Sequence, residues 1–218
     1  MLNEDRERMV ATQIEARGIT DPFVLDAMRS VPRERFVPAS LAECAYDDGP
    51  LPIGEGQTIS QPYIVAVMTQ AARIKPGERV LEIGTGSGYG AAVLSRVAAE
   101  VYTIERIGAL AETARRRLSE LGYANVHVLE GDGSLGWAEH APYDAILVTA
   151  GAPRVPKTLL SQLVIGGRLI MPVGPHYGQR LVRVTRTDSH EYDHENLEAV
   201  AFVPLIGAEG LPEGEHHG

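Results

Sequence analysis

The chain of 218 residues has an ordinary globular composition, with 44% hydrophobic and 22% charged residues. That balance excludes collagen, a coiled coil and wholesale disorder. The single cysteine, Cys44, rules out an internal disulfide and a cysteine-based zinc site. The formal net charge of −9 argues against a protein whose main role is to bind nucleic-acid phosphates.

The ends of the chain differ in character. The first residues, MLNEDRERMV, have no apolar core after a basic start, and no apolar run reaches the ~18 residues of a membrane helix. We therefore expect a cytoplasmic protein, and a reducing compartment suits the lone cysteine. The negative charge concentrates in residues 187–218, which contain acidic residues but no Lys or Arg.

Helical patterns dominate the first third of the chain. Apolar residues at helical spacing predict a helix over 3–17. Asp21-Pro22 is typical of an N-cap followed by proline at the first helical position, and predicts a second helix. Residues 46–61 are rich in Gly, Pro and Asp, which predicts mostly loop before a further helix over about 62–73.

From residue 76 the pattern changes to short apolar strands that alternate with amphipathic helices. Strands are predicted at 79–83, 101–105, 126–130, 144–148 and 168–172, and helices at about 88–98, 108–121 and 156–163. Such alternation indicates a mostly parallel sheet with helices on both faces, an α/β fold of Rossmann-like type. Two further strands, at 180–187 and 196–203, would add antiparallel strands at the C-terminal side.

A glycine-rich turn follows the first of these strands. Gly84, Gly86 and Gly88 stand between that strand and the next helix, where a missing Cβ lets a ligand approach the backbone. Glu105 ends the following strand, and a carboxylate there can accept hydrogen bonds from both hydroxyls of a ribose. Together they indicate a cofactor that contains a nucleoside.

The spacing of the glycines discriminates between cofactors. The dinucleotide fingerprint G-x-G-x-x-G/A fails from Gly84, because the third small residue would be Tyr89. The pattern Glu82-x-Gly84-x-Gly86-x-Gly88 resembles the first motif of S-adenosylmethionine methyltransferases, whose cofactor has no pyrophosphate. A nicotinamide dinucleotide and a turn without any ligand remain as alternatives.

Gly131-Asp132-Gly133 follows the third strand. Asp132 could accept a hydrogen bond from the adenine amino group, and Gly133 would let the ring lie against the backbone. Alone, this sequence is a common turn. Two preceding strand ends, the glycine-rich turn and Glu105, already indicate a nucleoside cofactor. The position of this segment after them favours a role at the adenine end of that cofactor.

The segment after the fourth predicted strand restricts the class of methyl acceptor. It reads VTAGA at 148–152, without the [D/N]-P-P-[Y/F] run of methyltransferases that act on exocyclic base nitrogens. It also lacks the aspartates with which metal-dependent O-methyltransferases bind Mg²⁺. We therefore expect no metal, and His190, His194, His216 and His217 in the polar C-terminal region do not change that expectation.

A second loop, 54–62, ends where a helix is predicted to begin. A helix start attracts anions through its free N–H groups and its dipole, and the Ser60 hydroxyl could donate to an anionic ligand. The alternative is that Ser60 only caps the helix and that Thr58 is only a loop residue. The length and glycine content of the loop favour function.

The chain resembles the protein-L-isoaspartate O-methyltransferase family over roughly residues 6–206. The matching stretches are RERFVP at 33–38, YDD at 46–48, GQTISQP at 56–62, LEIGTGSGY at 81–89, GDG at 131–133, PYDAI at 142–146, GGRL at 166–169 and VPL at 203–205. The Thr-Ile-Ser-x-Pro run ahead of a methyltransferase core is the specific part of this match.

The resemblance implies protein repair. A methyl group would pass from S-adenosylmethionine to the free α-carboxylate of L-isoaspartyl residues, giving S-adenosylhomocysteine and an ester that cyclises to a succinimide. The resemblance implies that Ser60 is the active-site residue, interpreted as a carboxylate donor and not a covalent nucleophile. It implies cofactor contacts from Thr58, Ile59, Gly84, Gly86, Glu105, Asp132 and Gly133.

We expect one methyltransferase domain over 1–218. It would consist of an N-terminal helical extension and active-site loop (1–75), a cofactor-binding core (76–206) and an acidic tail (207–218). Damaged proteins and peptides are the expected partners of a monomer, with no nucleic acid or membrane. The alternatives are a methyltransferase of small molecules or RNA, a nicotinamide-dependent dehydrogenase and a non-catalytic adenosine-binding module.

Overall fold

The computed structural model describes residues 2–175 and 177–214. The α-helices in these ranges are α1 (Leu2–Met9), α2 (Pro22–Ser30), α3 (Pro62–Ala72), α4 (Tyr89–Leu94), α5 (Gly108–Glu120) and α6 (Lys157–Ser161). The strands are β1 (Leu51–Gly54), β2 (Gln57–Ile59), β3 (Arg79–Ile83), β4 (Glu100–Glu105), β5 (Val126–Glu130), β6 (Tyr143–Val148), β7 (Leu163–Val173), β8 (Gln179–Arg186) and β9 (Tyr192–Val200).

Seven of these described strands form one sheet in the order β5-β4-β3-β6-β7-β8-β9, and β1 pairs with β2 in a separate hairpin. The five strands from β5 to β7 are parallel, whereas β8 and β9 are antiparallel. The predicted Rossmann-like α/β fold is confirmed. The chain moves outward from β3 to β5 and then returns to place β6 beside β3, so β3 and β6 flank the point where ligands bind in such sheets.

The two faces of the sheet bury different side chains of the same strands. Val80 and Ala145 belong to a core that includes residues of α2, α3 and α4, whereas Leu81 and Ile146 belong to a core that includes Leu159 of α6. Strands buried on both faces have near-continuous apolar sequences. This explains why the sequence pattern located these strands.

The N-terminal helices begin largely as predicted. The Asp21 carboxylate accepts hydrogen bonds from the backbone N–H groups of Phe23, at 2.9 Å, and Val24, at 3.4 Å, so Asp21 is the N-cap of α2. The helix predicted over 3–17 is wrong as one regular element. The α-helix ends at Met9 and continues as a π-helical and then a 3₁₀ segment to Arg17.

Other boundaries also differ from the prediction. The segment 46–61 is mostly loop, as predicted, but it also contains the β1-β2 hairpin, which the prediction lacked. The helix predicted over 156–163 ends at Ser161, and Leu163 already begins β7. The last strand begins at Tyr192 instead of residue 196. No helix in the described ranges combines the length and apolarity needed to cross a bilayer.

Candidate active site

A cavity of about 530 Å³ opens at the carboxyl ends of β3, β4 and β6. Its volume lies within the range of small-molecule and cofactor sites. The glycine-rich turn, the segment 56–60 and the segment 203–206 all line it. It therefore occupies the point of the sheet where the strand order reverses, as expected for a ligand site in an open α/β fold.

The glycine-rich turn is held in place by a side chain of the neighbouring strand end. Gly84 has φ +95°, and a Cβ at this position would lie 2.3 Å from the Oγ1 atom of Thr149. The Thr149 hydroxyl lies within hydrogen-bonding distance of the carbonyl oxygens of Ile83, at 3.0 Å, and Gly84, at 2.9 Å. Glycine is therefore required at position 84 for both its conformation and its packing. Sequence reasoning missed Thr149, since its partners are more than 60 residues away.

Glu105 lies at the edge of the cavity and is almost completely buried, at 6% exposure. Its Oε2 atom accepts a hydrogen bond from the backbone N–H of Gly86 at 2.8 Å, and its Oε1 atom accepts one from Ile107 at 3.0 Å. A carboxylate offers about four acceptor sites, so each oxygen can accept a further bond from a ligand. Glu105 thus both fixes the turn and presents acceptors to the cavity.

Glu82 is a second carboxyl group at this site, and its position next to the glycines was its only sequence signal. It lines the cavity and is 2% exposed. The Thr103 hydroxyl donates a hydrogen bond to it at 2.6 Å. Burial raises the pKa of Glu82 to about 8, the nearby charge of Glu105 adds to that rise, and the bond from Thr103 opposes it. Glu82 is therefore mainly neutral at pH 7 in the absence of a bound cation.

Strand β2 of the hairpin brings Thr58 and Ile59 to the cavity, and Ser60, which follows this strand directly, also lines it. The N-cap of α3 is Gln61, which has no side-chain cap bond, so Ser60 does not cap this helix. Within the described residues, the Ser60 side chain makes no hydrogen bond, whereas its carbonyl accepts one from Arg33. The hydroxyl is therefore free to donate to a ligand.

The segment that follows β5, which contains Asp132 and Gly133, is arranged differently from the prediction. Gly133 lines the cavity, and a Cβ there would lie 2.4 Å from Cγ2 of Ile83. Asp132 is not among the lining residues. Its Oδ1 atom accepts hydrogen bonds from the Ser134 backbone at 2.9 Å and hydroxyl at 2.7 Å, and its Oδ2 atom accepts one from the Ala208 backbone at 2.7 Å. The structure thus gathers the other predicted site residues around one cavity and leaves Asp132 just outside.

A C-terminal segment forms the remaining wall. Ile206 and Leu211 line the cavity next to the sequence VPL at 203–205. The backbone of Leu205 donates to Gly151 at 2.7 Å, and that of Leu211 donates to Leu205 at 2.7 Å. The Glu209 carboxylate accepts a hydrogen bond from the Thr158 backbone at 3.0 Å. The described part of the segment predicted as an acidic tail therefore lies against the core.

Two of the four histidines considered above, His190 and His194, lie within the described residues, whereas His216 and His217 lie outside them. In the part of the chain that the structure describes, no group of three or more His, Cys, Asp or Glu residues is placed to hold a metal ion.

Comparison with known proteins gives a consistent result. The model of the protein-L-isoaspartate(D-aspartate) O-methyltransferase family matches residues 4–210. A Pelobacter propionicus protein named protein-L-isoaspartate O-methyltransferase 2 is 62% identical over 206 residues, which cover 94% of this chain and 92% of that protein. A Geotalea uraniireducens protein named protein-L-isoaspartate O-methyltransferase 1 is 61% identical, with 96% of each chain covered.

Solved structures show the same likeness. A protein-L-isoaspartate O-methyltransferase structure matches with a TM-score of 0.83 and 32% identity, over 94% of this chain and 66% of that one. A Plasmodium falciparum structure, assigned to the same activity and in complex with S-adenosyl-L-homocysteine, matches with a TM-score of 0.80 and 26% identity. That match covers 92% of this chain and 98% of the other.

Proposed function

The chain belongs to the protein-L-isoaspartate(D-aspartate) O-methyltransferase family, and we propose that it repairs proteins by methylating the free α-carboxylate of L-isoaspartyl residues. One observation of its own structure supports this most directly. A single cavity joins the Glu105 carboxylate, suited to a ribose, to the Ser60 hydroxyl, suited to an anion. Methyl transfer to a carboxylate needs both a site for the ribose of the cofactor and a site for the anionic acceptor.

The residues of the cavity fit S-adenosylmethionine. Glu105 has acceptor capacity left for ribose hydroxyls, and Gly84 and Gly86 line the cavity with backbone atoms alone. Gly133 would face the adenine ring, and Thr58 and Ile59 would cover the cofactor. When bound, S-adenosylmethionine supplies a methyl group on a positively charged sulfur.

The acceptor requires little activation. An α-carboxyl group has a pKa of ~3.5, so it is already an ionised nucleophile at neutral pH and no general base is required. Ser60 would donate a hydrogen bond to one carboxylate oxygen and aim the other at the methyl carbon. The new O–CH₃ bond forms as the S–CH₃ bond breaks, and the electron pair of that bond stays on sulfur. No proton moves in this step.

The β1-β2 hairpin gives the site its cover. Ile53 of β1 reaches the glycine-rich turn, since a Cβ at Gly86 would lie 3.4 Å from Cδ1 of Ile53. Exclusion of water strengthens the attraction between carboxylate and sulfonium, and holding the reactants in line can supply roughly 7–11 kcal/mol of the barrier in good cases. The task of the chain is therefore orientation and exclusion of water.

The partners, location and oligomeric state of the protein are part of the same proposal. Damaged proteins and peptides would be the partners of a cytoplasmic monomer, which would bind neither nucleic acid nor membrane. The composition supports the absence of nucleic acid, because the net negative charge disfavours phosphate binding. The released ester would cyclise without the enzyme to a succinimide, which opens partly to normal aspartate.

Methyl transfer from isotopically labelled S-adenosylmethionine tests the proposal. We expect an isoaspartyl peptide to be labelled, while its aspartyl twin and an RNA are not. Labelling of the RNA or of the twin alone would refute the repair activity. Calorimetry with S-adenosylhomocysteine and with NAD separates the methyltransferase from a dehydrogenase, since we expect only the first to bind.

A further inference from the structure

Arg33 is completely buried, at 0% exposure, although it carries a guanidinium group. Its Nε atom donates to the Ala45 carbonyl at 2.7 Å, and its Nη1 atom donates to the Ser60 carbonyl at 2.9 Å. Its Nη2 atom makes a longer bond, at 3.4 Å, to the Gly49 carbonyl. All three nitrogens of this side chain thus point at backbone carbonyls.

These carbonyls lie on both sides of one element. Ala45 and Gly49 precede the β1-β2 hairpin, which spans residues 51–59, and Ser60 follows it directly. The rigid fork of a guanidinium can hold several acceptors at fixed angles, which an ammonium group cannot. Arg33 therefore fixes the distance between the two ends of the hairpin and the orientation of the Ser60 backbone.

Among the described residues, the charge of Arg33 has no carboxylate partner. None of the ion pairs found among residues 2–175 and 177–214 includes Arg33, and the adjacent Glu34 carboxylate is bonded instead to the Tyr46 hydroxyl. The Arg33 guanidinium carbon lies 5.1 Å from the centre of the Tyr89 ring, which also lines the cavity. Burial lowers the pKa of Arg33 from its ordinary value, but arginine remains protonated in proteins.

A buried, unneutralised cation raises the electrostatic potential around it, and the surrounding protein screens this effect less than water does. The Ser60 residue that it contacts is the one proposed above to receive a carboxylate. We propose that Arg33 is a positioning residue: it clamps the hairpin so that the Ser60 hydroxyl faces the cavity, and its charge favours an anionic acceptor over a neutral one. The proposal rests on the function proposed above.

Two variants separate the effect of the three hydrogen bonds of Arg33 on the hairpin from the effect of its charge. Arg33→Lys keeps the charge but cannot bond all three carbonyls, and Arg33→Gln removes the charge as well. Arg168→Lys is the matched control, because Arg168 is also mostly buried and donates to the carbonyls of Ala72 and Arg73, which do not line the cavity.

The first readout is binding of two peptides to the enzyme–S-adenosylhomocysteine complex. The peptides are identical except that one carries an isoaspartyl α-carboxylate and the other its α-carboxamide. We expect the wild type and Arg33→Lys to prefer the carboxylate, and Arg33→Gln to lose at least tenfold of that preference. Retention of the full preference in Arg33→Gln would overturn the role of the charge.

The second readout is kinetic and structural. We expect Arg33→Lys to lower kcat at least tenfold, to change S-adenosylhomocysteine affinity less than threefold, and to speed hydrogen exchange of residues 45–61. Arg168→Lys should change neither kcat nor that exchange. Equal kcat values and equal hydrogen exchange in the two lysine variants would refute the proposal that Arg33 holds the hairpin in place. Failure of the wild type to methylate the isoaspartyl peptide would refute the proposed function, while the exchange of residues 45–61 still decides the clamp.

Discussion

The Oε2 atom of Glu105 accepts a hydrogen bond from the backbone N–H of Gly86 at 2.8 Å. Two residues that the sequence predicts as separate cofactor contacts are thus bonded to each other across the ends of β3 and β4. The carboxylate shapes the turn before any ligand arrives. A change at Glu105 should therefore affect both ligand contacts and the shape of the turn.

Glu105→Ala should weaken S-adenosylhomocysteine binding about 10- to 150-fold. The reason is the loss of charge-assisted hydrogen bonds worth roughly 1.5–3 kcal/mol. Calorimetric titration measures the change. Glu112→Ala, on the exposed side of α5, is the control and should bind like the wild type. An unchanged affinity in Glu105→Ala would remove Glu105 from the cofactor site.

Ser60→Ala should lower kcat/KM for an isoaspartyl peptide about 10- to 150-fold, because a hydrogen bond to a charged group is worth about 1.5–3 kcal/mol. S-adenosylhomocysteine affinity should change less than threefold. Steady-state kinetics and calorimetry measure the two quantities. Ser161→Ala removes an exposed hydroxyl of α6 and should have no effect. Unaltered turnover in Ser60→Ala would contradict a role in acceptor binding.

Asp132 has two roles that can be separated, an observed one on the C-terminal segment and a predicted one on adenine. Asp132→Ala and Glu209→Ala each remove one anchor of residues 205–211, so both should speed hydrogen exchange of that segment. Only Asp132→Ala should weaken S-adenosylhomocysteine binding by a further ~10-fold. Equal affinities in the two variants would show that Asp132 acts through the segment alone.

The parts of the fold that the sequence predicts well are those set by local patterns. The bounds of β3 and β5 match the predictions, since each strand is a short, mainly apolar run bounded by turn residues. The glycine-rich turn and Glu105 were found for the same reason. They belong to consecutive elements whose ends meet at one edge of a parallel sheet.

The parts that were missed depend on distant contacts. The β1-β2 hairpin is short and rich in Gly and Pro, and its composition is that of a loop. The start of β9 reads YDHEN, because an edge strand with exposed charges does not need the apolar alternation of a buried one. Asp132 bonds to Ala208, 76 residues later. Local sequence carries no signal for such a pair.

The buried carboxyl group of Glu82 gives a prediction about pH. Its pKa is raised to about 8 in the folded chain, mainly by burial, from an ordinary value of 4.5. The folded state therefore binds more protons than the unfolded state between these values, and stability must fall as pH rises. From about pH 5 to pH 8 this group alone should lower the free energy of unfolding by up to ~1.4 kcal/mol per pH unit.

Glu82→Gln, which stays neutral at every pH, should lack this dependence. The unfolding free energy of the wild type minus that of Glu82→Gln should decrease steadily from pH 5 to pH 8 and level off above pH 8. Urea denaturation of both proteins across this range measures the difference. Parallel curves would show that Glu82 already carries its charge at neutral pH, in which case the site would present two carboxylates to the positively charged cofactor.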